Sequence, residues 1–357
     1  SYRIDEDEIQ IGKQADLYEQ PRTFQGYRRS GSRGVGTRNF IVVLGITSQT
    51  SSFALRLSER LEEVVSRFRS IDGVVGVCHT EGGSEDHPNN LEFLVRPLSG
   101  FMVLPNVAAV LAIDSGMEKV TNEMLRNYMA GENYPLQEVV HEFMTLKMNF
   151  AAELQRGEGI VRNWLERVND VQRQEESLCG LRIALQCGGS DAFSGISANP
   201  LLGSVAKEVI CHGGSACLAE TDELIGAESY VLKNVADLST ARQFVDTVER
   251  FKERASWHGH TAEGNPSGGN KYRGLYNITL KSIGAAMKLH PDVRMDHVIG
   301  YGERMDSSGF YFMDSPGNDL ESVAGQVASG ANMIFFTTGN GSITNFPFVP
   351  TIKLMST

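Results

Sequence analysis

Residues 186–203, QCGGSDAFSGISANPLLG, place four glycines among four serine and aspartate residues and one cysteine. Glycine lets a backbone approach a ligand closely and take up positive φ, while Ser and Asp offer short, stiff donors and acceptors. An apolar strand pattern (LRIALQ) precedes the stretch and a helix pattern (PLLGSVAKEVIC) follows it. It therefore reads as a loop at the C-terminal end of a strand, where open α/β sheets bind ligands; the alternative is a tight strand-to-helix turn. Similar glycine-rich stretches recur at 212–220 (HGGSACLAE), 265–271 (NPSGGNK), 313–319 (MDSPGND) and 337–345 (TTGNGSITN). Loops at one sheet edge can converge on one pocket. The stretch 265–271 delivers Lys271, whose ammonium suits a carboxylate, sulfonate or phosphate oxygen, the alternative being a solvated loop lysine.

Three further groups carry chemistry. YRRSGSRGVGTRNF places Arg28, Arg29, Arg33 and Arg38 just before a strand. Guanidinium pairs with carboxylate in a bidentate fork, so an acidic substrate or an ion-pair cluster fits equally. CHTEGGSEDH gathers His79, Glu81, Glu85, Asp86 and His87, enough for proton transfer or a metal. WHGHTAEGN offers His258, His260 and Glu263, with both histidines on one side of an extended segment; a relocated divalent metal is the sharp reading and a surface loop the plain one. No P-loop, dinucleotide fingerprint or nucleophile elbow is present.

The elements that must position these groups alternate. FIVVLGIT, GVVGVCH and NVAAVLAID read as buried strands, and SSFALRLSERLEEVVSRF as a helix with serine at its N-cap. The expected class is α/β, two α/β domains with mostly parallel sheets joined by long helices. Residues 1–25 form an N-terminal arm, 26–134 a first α/β domain, 135–178 a helical connector of two helices broken near Gly157 and Gly159, and 179–357 a C-terminal α/β domain. At 357 residues, 41% hydrophobic and 22% charged, the chain has ordinary globular composition and room for two domains. A net charge of −11 argues against nucleic acid and anionic membrane, and no apolar run is long enough to span a bilayer. Five cysteines without a CxxC pair argue against a disulfide framework or zinc ribbon, so the cytoplasm is the expected compartment.

Several segments together resemble the altronate/galactarate dehydratase family, which includes the large subunit of sulfolactate sulfo-lyase. They are GYRRSGSRGVGTRNFIVV, LPNVAAVLAI, LQCGGSDAFSGISANPLLG, LAETDELIGAE, NPSGGNKYRGL and GFYFMDSPGNDLESVAGQVASGANMIFFTTGNGS…VPTIKL, in order from residue 26 to the end. The resemblance implies a lyase that removes water or sulfite from a small hydroxy or sugar acid to give a 2-keto acid through an enol. It also implies activation by iron. By the same resemblance a small N-terminal domain is missing, replaced by a separate subunit or absent, and the tail after KLMST is expected to be shortened. The expected partners are a small acidic substrate, a second copy of the chain and that small subunit.

The departures are specific. Where the family pattern has cysteine, this chain carries Gln49, Gly83, Met117 and Phe346. Thiolates select iron or iron–sulfur chemistry, so no resident metal is expected at those positions. The retained apparatus implied by the resemblance is Cys187 with Gly188, Gly189, Ser190 and Asp191, then Glu220, Asn270, Lys271, Asp314 and Lys353. Arg38, Lys271 and Lys353 are the expected anion binders; His79, Glu81, Asp191 and Glu220 are the proton-transfer candidates. The competing expectation is a catalytically degenerate binding or scaffold subunit.

Overall fold

The computed structural model describes residues 9–83, 88, 90–147 and 149–357, so Glu85, Asp86 and His87 lie outside the described residues. The chain divides into two compact units. The N-terminal unit takes Thr23–Glu176 and Phe346–Pro350; the C-terminal unit takes the chain up to Arg22, Ser177–Asn345 and Thr351–Thr357.

In the N-terminal unit, β1 (Thr23–Arg28), β2 (Val35–Gly36), β3 (Phe40–Gly45), β4 (Gly73–Val77), β5 (Val107–Asp114), β6 (Val140–Thr145) and β7 (Gln174–Ser177) are the strands. The helices are α1 (Ser48–Val65), α2 (Leu91–Val103), α3 (Asn122–Gly131), α4 (Phe150–Arg162) and α5 (Leu165–Asn169). The main sheet runs β4-β3-β5-β6 with every pairing parallel, and β2-β1-β7 makes a small second sheet. Apolar runs such as VAAVLAID form its centre because a parallel strand covered on both faces has no solvent side; all eight residues of β5 are buried. Helix α1 sets Phe53, Leu57, Leu61 and Val65 on one stripe against that sheet. Its N-cap is Thr47, one residue ahead of the serine that opens the helix, in a reciprocal capping box with Thr50.

Residues 135–178 depart from the expected pair of helices. Val140–Thr145 is strand β6, paired in parallel with β5. Short apolar runs such as VVHEFMT fit both periods, and pairing against β5 decides between them. Helix α4 continues through Gly157 and Gly159. Gly157 is the point where α4 meets α1, since a Cβ there would collide with Leu57. Leu154, Val161, Leu165 and Val168 join the core of the N-terminal unit, so these helices belong to it and are not a free connector.

The C-terminal unit contains β8 (Arg182–Cys187), β9 (Ser215–Leu218), β10 (Met295–Ile299), β11 (Gly309–Met313), β12 (Met333–Thr338) and β13 (Thr351–Met355). Its helices are α6 (Ala198–Cys211), α7 (Glu228–Val231), α8 (Leu238–Trp257), α9 (Gly268–Tyr272), α10 (Ile278–Ala286) and α11 (Asp319–Ala328). The sheet order is β10-β11-β9-β8-β12-β13, again parallel throughout. Winding proceeds from β8 to one side and, after β11, returns to lay β12 against the other edge of β8. The reversal falls between β8 and β12, and the crevice at such a point is where doubly wound sheets bind ligands. The chain from residue 9 to Arg22 is irregular apart from a bridge between Ile11 and Val235. No helix among the described residues is long and apolar enough to cross a membrane.

Candidate functional site

The loops that follow β8, β9, β11 and β12 meet at one edge of the C-terminal sheet. The loop after β8 is tied to the one after β12 by Gly339 N donating to Gly189 O at 3.1 Å. It is tied to the 265–272 segment by Asn270 Nδ2 donating to Ser190 O at 2.8 Å. The loops after β9 and β11 are joined by Thr221 N donating to Ser315 O at 2.9 Å. Gly188 and Gly189 are required there: side chains would collide with Asp319 and Asn340, and Gly189 has φ +64°. Of the five glycine-rich stretches, four thus converge. In the fifth, Gly213 and Gly214 precede β9 and lie at the opposite end of the sheet; only Ala219 and Glu220 of that stretch reach the site.

Beneath these loops sits a buried cluster of charges. Glu220 and Lys288 are wholly inaccessible, Cys187 is 2% exposed and Glu223 4%. Lys288 Nζ donates to Glu220 Oε2 and to Cys187 Sγ, the latter at 3.1 Å. Glu220 also accepts from Gln186 Nε2 at 2.7 Å and from Cys187 N at 3.2 Å. The Cys187 thiol donates to Glu223 Oε2 at 3.2 Å. Lys281 Nζ donates to Glu223 Oε1 at 2.6 Å and to Asn265 Oδ1 at 2.7 Å. Two carboxylates thus face two ammonium groups across one thiol.

Local sequence explains the convergence. Thr221–Leu224 is a single 3₁₀ turn; Glu220, which opens it, and Glu223, within it, both bring carboxylates to Cys187. Glu220 itself holds φ 68° and ψ 64°, a left-handed conformation that a non-glycine residue adopts at a cost and that the packing around it must enforce. Lys281 and Lys288 are seven residues apart, two helical turns, along and just beyond α10.

Burial pushes the Glu220 carboxyl up to about 8, and Glu223 adds to that rise while Lys288 pulls against it. All three named partners of Glu220 donate, which suits the ionised form, so the group is balanced near neutrality. Burial, then Glu220 and Glu223, hold the Cys187 thiol well above its ordinary range. Burial opposes the charge on Lys288, but Cys187, Glu220 and Glu223 outweigh it and strengthen the ammonium's hold on its proton. An acid–base group poised near pH 7 beside a fixed cation is suited to taking a proton and steadying the negative charge that develops.

The remaining sequence candidates take varied places. Asp191 is buried and accepts from Ser194 N at 2.8 Å and Ser356 Oγ at 2.9 Å, bracing the loop after β8. Asp314 accepts from Thr221 Oγ1 at 2.8 Å and Arg254 Nη2 at 3.0 Å. Lys353 Nζ donates to Ser342 O at 2.6 Å, while Lys271 is exposed at the end of α9. His258 and His260 are exposed beyond α8, and the Glu263 side chain lies outside the described residues.

His79, Glu81 and Arg38 belong to the N-terminal unit. His79 Nε2 is 3.1 Å from Gly45 O and Nδ1 accepts from Glu81 N at 3.2 Å, so both ring nitrogens serve the local fold; burial lowers its pKa. Glu81 is exposed, and Arg38 Nη1 donates to the neighbouring Thr37 O at 3.2 Å. Arg29 and Arg33 are buried on backbone carbonyls, among them Pro105 O at 2.6 Å and Leu104 O at 2.7 Å, which gives them a structural role.

Lys288, Lys281, Glu223 and Gln186 were not among the sequence candidates. The readable signal was a lysine inside the apolar run SIGAAMKLH, seven residues after another lysine. A cleft of about 800 Å³, lined by Arg294, His297, Arg304, Ser307 and Tyr311, opens at the other end of the sheet. Its polar groups are paired with one another: Arg294 with Asp296 at 2.7 Å, and Ser307 Oγ with His297 Nε2 at 3.1 Å and Tyr311 OH at 2.9 Å.

Fold and site define an α/β protein with two parallel sheets and a lysine–carboxylate cluster at the C-terminal ends of β8 and β9. Residues 26–169 match the family described as D-galactarate dehydratase/altronate hydrolase, second domain, and residues 178–357 that described as D-galactarate/altronate dehydratase, C-terminal. Altronate dehydratase of Bacillus subtilis is 32% identical over 336 residues, covering 93% of this chain and 65% of that protein. The (2R)-sulfolactate sulfo-lyase subunit beta of Chromohalobacter salexigens is 30% identical, covering 93% of this chain and 82% of that one. Galactarate dehydratase (L-threo-forming) of Escherichia coli is 27% identical over 347 residues. The chain belongs to the D-galactarate/altronate dehydratase family, and spans less than two thirds of the length of the altronate dehydratases it matches.

The iron that the resemblance implies does not fit the residues present. Gln49 Nε2 donates to Gly83 O at 2.6 Å, Met117 is a solvent-exposed thioether, and Phe346 stacks with Phe101 and Phe348. None supplies a thiolate. Cys187, Glu220 and Glu223 could offer one sulfur and two carboxylates to a cation, but the ammonium groups of Lys288 and Lys281 already lie on those atoms. In this chain lysine supplies the positive charge.

Proposed function

We propose that the protein is a carbon–oxygen or carbon–sulfur lyase acting on a small hydroxy or sugar acid. The observation that carries the reading is the contact between Glu220 and Lys288, both inaccessible, beneath four converging loops. Glu220 takes the proton from the carbon α to the substrate carboxylate. The β carbon–oxygen or carbon–sulfur bond breaks with its electron pair, leaving water after protonation, or sulfite. The resulting enol becomes a 2-keto acid by proton return to the β carbon. Lys288 steadies the enolate charge, and Lys271 holds an acidic group of the substrate at the mouth. Entry requires the loop after β8 to lift off Cys187 and Glu220. The relatives' names put altronate, galactarate and sulfolactate first among compounds to test. We further propose a cytoplasmic setting and, because the sulfo-lyase relative is named as a subunit, a second subunit beside this one.

A binding or scaffold subunit is the second reading, favoured by the complete burial of Glu220 and Lys288. One experiment separates them: each acid is supplied to the purified protein, 2-keto acid and sulfite are assayed, and melting is followed in parallel. Turnover lost in Glu220→Gln and Lys288→Met supports the lyase. A saturable rise in melting temperature without turnover supports the binding subunit. Neither response to any of the acids refutes both.

A further inference from the structure

The proposed acid–base pair does not stand alone, and its surroundings assign work to Glu223 and Lys281, whose side chains bond Cys187, Asn265 and each other. Cys187 carries one hydrogen and faces three possible partners: Glu223 Oε2 at 3.2 Å, Glu220 Oε2 at 3.6 Å and Lys288 Nζ at 3.1 Å. An ammonium can only donate, so toward Lys288 the sulfur must accept. The hydrogen must then go to a carboxylate, and Glu223 is the nearer. Which carboxylate receives it decides whether Glu220 keeps its lone pair for a proton.

Glu223 is held in place from behind. Lys281 Nζ lies on its other oxygen at 2.6 Å and on Asn265 Oδ1 at 2.7 Å, and Asn265 Nδ2 in turn donates to Asp222 Oδ2 at 3.0 Å. Burial opposes the charge on Lys281, yet Glu223 outweighs it and the ammonium is strengthened. Along Asn265–Lys281–Glu223–Cys187–Lys288, Lys288 donates to Cys187, Cys187 and Lys281 both donate to Glu223, and Lys281 also donates to Asn265.

We propose that Glu223 and Lys281 are positioning residues that draw the Cys187 S–H away from Glu220, so that the sulfur accepts from Lys288 and Glu220 stays free to receive a proton. This rests on the reading of Glu220 and Lys288 as the acid–base pair. Cys187 acts as a protonated thiol, neither nucleophile nor metal ligand.

Infrared absorption in the S–H stretching region tests it on the whole chain without any substrate, the Cys187 band being assigned by its loss in Cys187→Ser. The buried Cys217, whose sulfur is 3.8 Å from Leu218 O, is the internal reference for a weakly bonded thiol. In the wild type the Cys187 band lies below that of Cys217, because a carboxylate is the stronger acceptor. It moves toward the Cys217 band in Glu223→Gln and in Lys281→Met, and returns in Lys281→Arg. Where turnover is measurable, Glu223→Gln lowers kcat about tenfold and moves its pH profile, with KM changed less than about threefold. A wild-type Cys187 band at or above that of Cys217 overturns the proposal, as does a band unmoved by Glu223→Gln. If the bands behave as expected and no acid is turned over, the positioning geometry stands and the lyase reading falls.

Discussion

Glu118 and Glu220 each follow the C-terminal end of a strand in a parallel sheet. Each lies a few residues past the C-terminal end of a wholly buried strand, β5 or β9, and each is itself buried. Their partners differ. Glu118 accepts from Thr47 Oγ1 at 2.8 Å, Ser115 N at 3.0 Å, Met117 N at 3.1 Å and Ser115 Oγ, all neutral donors. Burial raises it, but these hydrogen bonds win and the group falls below the ordinary carboxylate range. Glu220 has a full ammonium on one oxygen and still rises to about 8, because burial is complete and Glu223 is a like charge beside it. Neutral hydroxyls and amides suffice to fix a charge for structure. The proton exchange proposed for Glu220 calls instead for the opposing pressures of burial, like charge and ammonium.

The largest expected effect comes from breaking the second arrangement. Lys288→Met leaves Glu220 and the Cys187 sulfur without their cation in a site closed to water. Removing one partner of a buried pair costs about 3–5 kcal/mol, read by urea unfolding. The double variant Glu220→Gln/Lys288→Met, which removes both charges, loses less than Lys288→Met alone. If the single variant proves no weaker than Glu118→Gln, the contrast between the two sheets is wrong.

The pH dependence of melting sharpens the comparison. The folded chain holds the Glu220 proton up to about pH 8, while the unfolded chain releases it near pH 4.5. Between those values the folded state binds more protons, so the stability from this group is complete below the window and falls as pH rises through it. Glu220→Gln flattens that neutral limb. Glu118 behaves oppositely: its folded pKa lies below 4.5, so its stabilisation is present above that value and is lost as pH falls beneath it. Glu118→Gln flattens the acid limb and leaves the neutral one unchanged. Equal effects of both variants on one limb would erase the distinction.

Much of the frame was legible in the sequence. FIVVLG and VAAVLAID could be read as parallel strands because nothing polar interrupts them, and the loop 187–195 could be read as a strand-end loop from its glycines. Val140–Thr145 was not legible, because its strand character comes from pairing with β5 rather than from its own pattern. Of the buried cluster, Cys187 and Glu220 were among the sequence candidates and Glu223, Lys281 and Lys288 were not. A lysine is ordinarily a surface residue. That Lys288 is buried follows only from where α10 lies against the Glu220 turn. Asp191, Asp314 and the arginines illustrate the converse: residue type announces a charge, but only packing shows which backbone, hydroxyl and ionic groups bond it.

Lys271 gives the smallest expected effect on stability and the clearest separation of fold from function. It is exposed at the end of a five-residue helix whose buried member, Asn270, carries the link to Ser190. Lys271→Ala removes no such bond, so unfolding in the absence of ligand changes by less than about 0.5 kcal/mol. If its ammonium holds an acidic group of the substrate, the rise in melting temperature produced by that acid disappears, because the rise depends on affinity for the folded state alone. Asn270→Ala shows the reverse balance: it strips a buried carbonyl of its donor and costs about 1–3 kcal/mol without any ligand present. Together the two variants separate the residue that holds the loop's shape from the one proposed to meet the substrate. A Lys271→Ala protein that keeps the full ligand-dependent rise would move the anion anchor elsewhere on this edge, with Lys353 the next cation to test.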